Sequence, residues 1–154
     1  MPLSPKDLEE FLRSKNINFK IRFHGETYSA KKASEELGVS LSDIAKSILF
    51  ISDDGNPLLV IVPGDKKINQ SLLARMLGFK KLRLATAEEV LKFTGYEAGA
   101  VPPLGHKENI PVILDEILLA KKVIYAGGGS VNSTLEISPK DLEKLLSLRV
   151  MKVP

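Results

Sequence analysis

The 154-residue chain has no cysteine. A disulfide framework, a thiolate metal site and a cysteine nucleophile are therefore all excluded. Imidazole is scarce too: His24 and His106 are the two histidines, and neither has metal-ligand spacing around it. Both read as surface or loop histidines. The longest apolar runs, Leu58 to Val62 and Ile48 to Ile51, are far too short to cross a bilayer. The N-terminus has no charged stretch followed by an apolar core, so no signal peptide is expected. The expectation is a soluble cytoplasmic protein. Aromatics make up 6% of the chain and do not interleave with basic residues, which argues against a general nucleic-acid binder. The net charge of +3 permits contact with a polyanion without demonstrating it. There is no Walker phosphate loop, no G-x-G-x-x-G after a first strand, no H-E-x-x-H and no G-x-S-x-G.

What is present suits one compact domain over residues 1–154, with 44% hydrophobic residues to build a core. Ser4, Pro5 and Asp7 form a helix start, with Leu8, Phe11 and Leu12 as its buried stripe. The same string, Ser-Pro-Lys-Asp-Leu-Glu, returns at Ser138 to Glu143 and starts the last helix. It is one start signal used twice rather than a repeat. Phe19, Ile21 and Phe23 alternate as in a strand. Ser29 caps a helix that ends at Gly38. After a short turn at Ser42 to Ala45, a strand is expected from Lys46 to Ser52. The turn Asp53-Asp54-Gly55-Asn56-Pro57 then makes a hairpin with Leu58 to Val62. Leu72, Leu73, Met76 and Leu77 have helical spacing, closed by Gly78. A short strand near Leu82 to Leu84 follows. Thr86 and Glu89 make a capping box for a helix ending at Gly95. Further strands are expected at Pro111 to Leu114, Lys122 to Ala126 and Leu135 to Ile137, with a short helix or turn over Asp115 to Ala120. Helices and hairpins without a regular βαβ rhythm indicate α+β: a mixed, mostly antiparallel sheet curled into a barrel-like core, with surrounding helices.

Three features bear on chemistry. Lys46 opens the apolar strand Lys-Ser-Ile-Leu-Phe-Ile, where a rigid element can aim its ammonium at a ligand. The alternative is a strand-edge lysine that snorkels into water. The other two are glycine-rich loops. Gly95 to Gly105 holds three glycines and the adjacent Pro102-Pro103, and Gly127-Gly128-Gly129-Ser130 follows a strand. Such loops let backbone approach a ligand and offer N–H groups to an anion or a carbonyl oxygen. They are equally consistent with surface turns, or with a β-bulge around Gly128.

The order of these features resembles the YbaK/ProX family of aminoacyl-tRNA deacylases, related to the editing domain of bacterial prolyl-tRNA synthetases. The resemblance rests on Phe23-His24-x-Glu26, Ala33, Leu37-Gly38, Lys46, Gly95-Tyr96-x-x-Gly99-Ala100-Val101-Pro102-Pro103-Leu104-Gly105, the later Gly-Gly pair, and Ile137-Ser138-Pro139-x-Asp141-Leu142. It implies a barrel-like mixed sheet and hydrolysis of the ester between an amino acid and the terminal ribose of tRNA. No metal, no cofactor and no protein nucleophile are implied. Lys46 and Gly99 would carry catalysis, the first near the reacting end and the second through backbone groups beside the scissile carbonyl. His24, Tyr28, Ser47, Ala100, Val101 and Gly105 would contact the substrate, as would Gly127, Gly128, Ser130 and Asn132. The partners implied are the 3′ end of an aminoacyl-tRNA and an aminoacyl-tRNA synthetase.

The chain departs from the family pattern where some members carry an acidic residue or a histidine beside the second glycine loop. Here Ser130-Val131-Asn132-Ser133-Thr134 offers hydroxyls and one amide. Ser130, Asn132 and Thr134 read a polar amino-acid side chain, or else satisfy one another around a turn. The residue after the lysine, often Thr or Asn, is Ser47. These departures bear on which amino acid is removed, and they leave a second possibility, a catalytically weak module that binds aminoacyl-tRNA or a synthetase. Lys31, Lys32, Lys66 and Lys67 are candidates for a tRNA-facing side, against the reading of ordinary solvated lysines.

Overall fold

The computed structural model describes every residue except Ser147. In chain order the elements are α1 (Pro5–Ser14), β1 (Phe19–Phe23), α2 (Ala30–Leu37), β2 (Ile44–Ser52), β3 (Pro57–Pro63), α3 (Gln70–Leu77), β4 (Leu82–Leu84), α4 (Ala87–Thr94), β5 (Val112–Asp115), β6 (Ile124–Gly127), β7 (Ser133–Ile137), α5 (Pro139–Leu145) and β8 (Leu148–Met151). Short 3₁₀ turns cover Leu41–Asp43 and Glu116–Ala120.

Local chemistry sets the helix ends. Ser29 Oγ accepts from the Lys32 N–H at 3.1 Å, and Asn69 caps α3 in the same way through the Leu72 N–H. In α4 the box is reciprocal: Glu89 N–H donates to Thr86 Oγ1 at 3.2 Å and Thr86 N–H to Glu89 Oε1 at 2.9 Å. Gly38, Gly78 and Gly95 end their helices with left-handed backbone, as the sequence indicates.

The strands form one mixed sheet in the order β1-β7-β6-β2-β3-β5-β8, with β4 paired to β2 off this path. Four ladders are antiparallel, β1 with β7, β2 with β3, β2 with β4 and β6 with β7. Three are parallel, β2 with β6, β3 with β5 and β5 with β8. The path has two ends, β1 and β8, and among the described residues no ladder joins them.

β3 lies inside this sheet and is buried on both faces. Leu59 and Ile61 enter one core cluster, with Leu8, Leu12, Leu104, Leu114 and Leu135. Leu58, Val60 and Val62 enter the other, with Phe50, Leu73 and Ile113. Coverage on both sides explains why β3 is a continuous apolar run rather than an alternating one. Each such fully buried side chain contributes about 1.5–3 kcal/mol relative to exposure. Two boundaries differ from expectation. β2 begins at Ile44 rather than Lys46, because Ile44 and Ala45 already pair with β6. β8 is an additional strand, held by parallel pairing to β5 from Val112↔Leu148 to Asp115↔Met151. No described helix is long and apolar enough to cross a membrane.

Candidate active site

β2 pairs with β3 from Ala45 to Ile51 along one edge. Its other edge is shared. Ile44 and Ala45 pair with Tyr125 and Ala126 of β6, and Phe50 to Ser52 pair with β4. Between these two ladders, on this second edge, Lys46, Ser47 and Ile48 meet no strand among the described residues. The gap exists because β6 stops at Gly127, where the chain turns and returns as β7. A cleft of about 510 Å³ opens there. Its walls include Lys46 and Ser47 from β2, Gly99 and Val101 from the loop after α4, Gly127 and Thr134 from the β6–β7 hairpin, and Thr27 to Lys31 at the start of α2.

Lys46 is half-buried and forms no ion pair among the described residues. Desolvation pushes its ammonium below the usual lysine range, and attraction to the more distant Asp65 offsets part of this. A cation in this position is free to meet an anionic ligand or a developing negative charge. Beside it, Ser47 Oγ is buried without a hydrogen-bond partner, alone in this among the described side chains. Such an orphan hydroxyl is costly in the free protein and is relieved by a ligand that bonds to it.

The glycine loops hold one another. Gly129 N–H donates to the Ala100 carbonyl at 3.0 Å. A Cβ on Gly127 would overlap the Val101 carbonyl oxygen, and one on Gly128 would sit 2.6 Å from the Ser133 carbonyl carbon. Glycine at these positions therefore serves close backbone packing within the protein. Gly99 is different. Its φ is +88°, and a methyl group there would meet nothing nearer than Val131 Cγ1 at 3.7 Å, so conformation rather than space requires glycine. Ala100 N–H is taken by the Glu97 carbonyl at 3.0 Å. Among the described residues the N–H groups of Gly99 and Val101, the two residues of this loop that line the cleft, have no acceptor.

Of the residues named from the sequence for catalysis or for contact with the amino acid, seven thus line one cleft: Lys46, Gly99, Tyr28, Ser47, Val101, Gly127 and Thr134. The others lie outside its lining. His24 stands one bond behind it, with Nε2 2.7 Å from Thr134 Oγ1. Ala100 and Gly128 act through their backbones, as above. Gly105, with φ +76°, packs on Phe11 and Leu8 of α1. Ser130 Oγ donates to Asn132 Oδ1 at 2.6 Å and lies 2.7 Å from Ser133 Oγ, so Ser130 and Asn132 satisfy a turn rather than face the cleft. His106 is a loop histidine whose Nε2–H donates to the Pro102 carbonyl at 2.7 Å; burial lowers its pKa, with that bond acting the other way. Among the lysines suggested for tRNA, Lys31 lines the cleft, while Lys66 is tied to the buried Asp115 at 2.7 Å. Thr27, Gly64 and Tyr125 line the cleft without any local signal. Among the described residues, no three His, Asp or Glu side chains converge as metal ligands.

Fold and site define a domain with a cleft that offers a desolvated cation, backbone amides and hydroxyls, on the open edge of a mixed sheet. The chain belongs to the aminoacyl-tRNA editing domain family, whose model matches residues 24–145. It is 36% identical over 122 residues to the uncharacterized protein YwhH of Bacillus subtilis, covering 79% of this chain and 77% of that one. It is 35% identical over 119 residues to a proline--tRNA ligase of Thermodesulfovibrio yellowstonii, covering 77% of this chain but 20% of the ligase. The structure superposes with a TM-score of 0.87 and 30% identity on a "putative trans-editing enzyme for prolyl tRNA synthetase", covering 97% of this chain and 95% of that one.

Proposed function

We propose that this chain, acting as a single editing domain, hydrolyses the ester that links a wrongly attached amino acid to the 3′ end of tRNA. The observation that carries the reading is Lys46, a partly desolvated ammonium without a carboxylate partner, in a cleft it shares with two unengaged loop amides.

An aminoacyl ester is already reactive. The protein has to place a water, hold the ester and stabilise the oxyanion. The water oxygen bonds to the carbonyl carbon, the ester C–O bond breaks, and the ribose oxygen leaves with a proton. The N–H groups of Gly99 and Val101 suit the oxyanion, and one such donor is worth roughly 3 kcal/mol. Lys46 holds the anionic character of the reacting end. No side-chain nucleophile is needed. The logic is that of a second sieve: a synthetase cannot fully reject a near-isosteric amino acid by binding, so a separate site destroys the product. The solved structure described as a trans-editing enzyme and the ligases that carry a matching segment support a tRNA substrate and a synthetase partner. Both would place the chain in the cytoplasm.

The test is deacylation of tRNAs charged with Ala, Ser, Thr, Cys and Pro, by the purified chain and by Lys46→Ala. The expected result is hydrolysis of one or two species, lost in the variant while its fold is unchanged. Binding of charged tRNA without hydrolysis of any species would replace this reading with that of a binding module.

A further inference from the structure

His24 is bonded at both ring nitrogens. Nδ1 lies 2.7 Å from the Gly25 carbonyl oxygen, and Nε2 lies 2.7 Å from Thr134 Oγ1. A carbonyl oxygen only accepts, so Nδ1 carries the proton. The neutral ring then has a lone pair at Nε2, and the Thr134 hydroxyl must donate to it. A hydroxyl has one proton. With that proton directed at His24, Thr134 Oγ1 has only lone pairs to offer the cleft it lines.

Both partners are held by the sheet. Thr134 is 4% exposed, and its backbone is paired on both sides, with Arg22 of β1 and Gly127 of β6. His24 N–H donates to the Asn132 carbonyl at 2.9 Å. These backbone bonds fix the two chain positions from which the His24 ring and the Thr134 hydroxyl meet. Thr134 also lies directly across Gly127 from the start of the gap in β2 where Lys46 and Ser47 line the cleft.

We propose that His24 is a positioning residue that holds Thr134 as an obligate hydrogen-bond acceptor, and that this acceptor selects an aminoacyl group bearing a donor. The selection half rests on the ester-hydrolysis reading above. Two donors fit: the α-ammonium, which every aminoacyl ester carries, and a side-chain hydroxyl, which among the Ala, Ser, Thr, Cys and Pro esters only those of serine and threonine carry. An acceptor buried in the cleft discriminates strongly because a ligand lacking the donor leaves it desolvated and unpaired.

The first measurement needs no substrate. In the ¹⁵N spectrum of the two imidazoles at neutral pH, His24 is expected as the Nδ1–H tautomer. His106, bonded through Nε2 to Pro102, is expected as the opposite tautomer and serves as internal control. His24→Gln assigns the signals. An Nε2–H tautomer at His24 would free the Thr134 proton and overturn the proposal.

The second measurement is kcat/KM on tRNA charged with Ser, Thr or Ala, with urea midpoints confirming that each variant folds. Thr134→Val and His24→Leu are expected to lose ten- to a hundredfold on the selected species. Thr134→Ser, which keeps the hydroxyl, and His24→Gln, whose amide oxygen can accept in place of Nε2, are expected to recover to within a few fold. Loss confined to Ser and Thr esters assigns the donor to the side-chain hydroxyl. Equal loss on the Ala ester assigns it to the α-ammonium, which every ester carries, and overturns the selection. Unchanged kcat/KM in Thr134→Val on every hydrolysed species overturns the selection. If the wild-type chain hydrolyses nothing, the function and the selection fall together, and the tautomers alone decide whether His24 fixes Thr134.

Discussion

The amide of Gly129 and the carbonyl of Ala100, 3.0 Å apart, join the two glycine loops into one wall of the cleft. The contact is close because Gly127 leaves no side chain between β6 and the Val101 carbonyl. Gly127→Ala should therefore displace the loop that carries Gly99 and Val101. The expected cost is about 1–3 kcal/mol of stability from overpacking, with deacylation falling further than the loss of folded protein explains. Gly99→Ala should cost only about 1–2 kcal/mol, from the positive φ alone, since space is open there. Urea unfolding of both variants beside their deacylation rates checks the contrast. A Gly127→Ala protein with wild-type activity would mean the loop is not held by this contact.

Ser47→Ala removes a hydroxyl that has no partner in the free protein. Stability should be unchanged or raised by up to about 1 kcal/mol, because no bond is lost and a desolvated polar group is removed. Affinity for an aminoacyl-end mimic should fall. Urea midpoints and a binding titration read the two effects separately. A marked loss of stability would show that Ser47 Oγ is partnered by something other than a ligand.

Lys46 should impose an alkaline limb on catalysis. Desolvation lowers its pKa, so the ammonium is lost on raising the pH at a lower value than for an exposed lysine. The rate above the spontaneous hydrolysis of the ester should fall through that range. In Lys46→Arg the charge persists and the limb should vanish, whatever the absolute rate. The linkage sign is the reverse for folding. The folded state binds this proton less tightly than the unfolded one, so stability rises with pH between the lowered and the ordinary value. A pH–rate profile of both proteins, corrected for background, is the measurement.

Glu89 should give the domain a measurable sensitivity to acid. Its carboxyl is held down to about 2, first by the hydrogen bond from Arg83 and then by the Thr86 backbone N–H. A depressed carboxylate stabilises the fold above its unfolded pKa and ceases to as pH falls through the folded value. The gap in urea midpoint between wild type and Glu89→Gln should be full near about pH 5 and should close as pH approaches about 2. A gap independent of pH would mean that Glu89 acts in the cap through its shape and not its charge.

Much of this molecule is legible residue by residue. The caps at Ser29 and Thr86 and the glycine stops at Gly38, Gly78 and Gly95 are contacts within one turn of chain, so residue type and spacing suffice to place them. The hairpin of β2 and β3 is equally local, because the turn at Asp53 to Asn56 and the flanking apolar runs agree. β8 was not legible. Leu148 to Met151 carries no turn or length signal of its own and becomes a strand only because β5 offers an edge. The glycine loops were legible as loops, but not their division of labour: Gly99 is required by its φ, Gly127 by a backbone neighbour 26 positions earlier in the chain, at Val101.

The sequence alone, through the order of its lysine-headed strand, its two glycine loops and the motifs flanking them, was enough to place the family, and its lack of cysteine excluded thiol chemistry. Only the tertiary structure decided which hydroxyls face the cleft. Ser130 and Asn132 turned to each other, while Thr134 came to lie against His24, separated by 110 positions in the chain. The reason is range. Caps, turns and periodicities act over a few residues, whereas the gap in the edge of β2 and the pairing of His24 with Thr134 depend on where β6 and β7 leave the sheet.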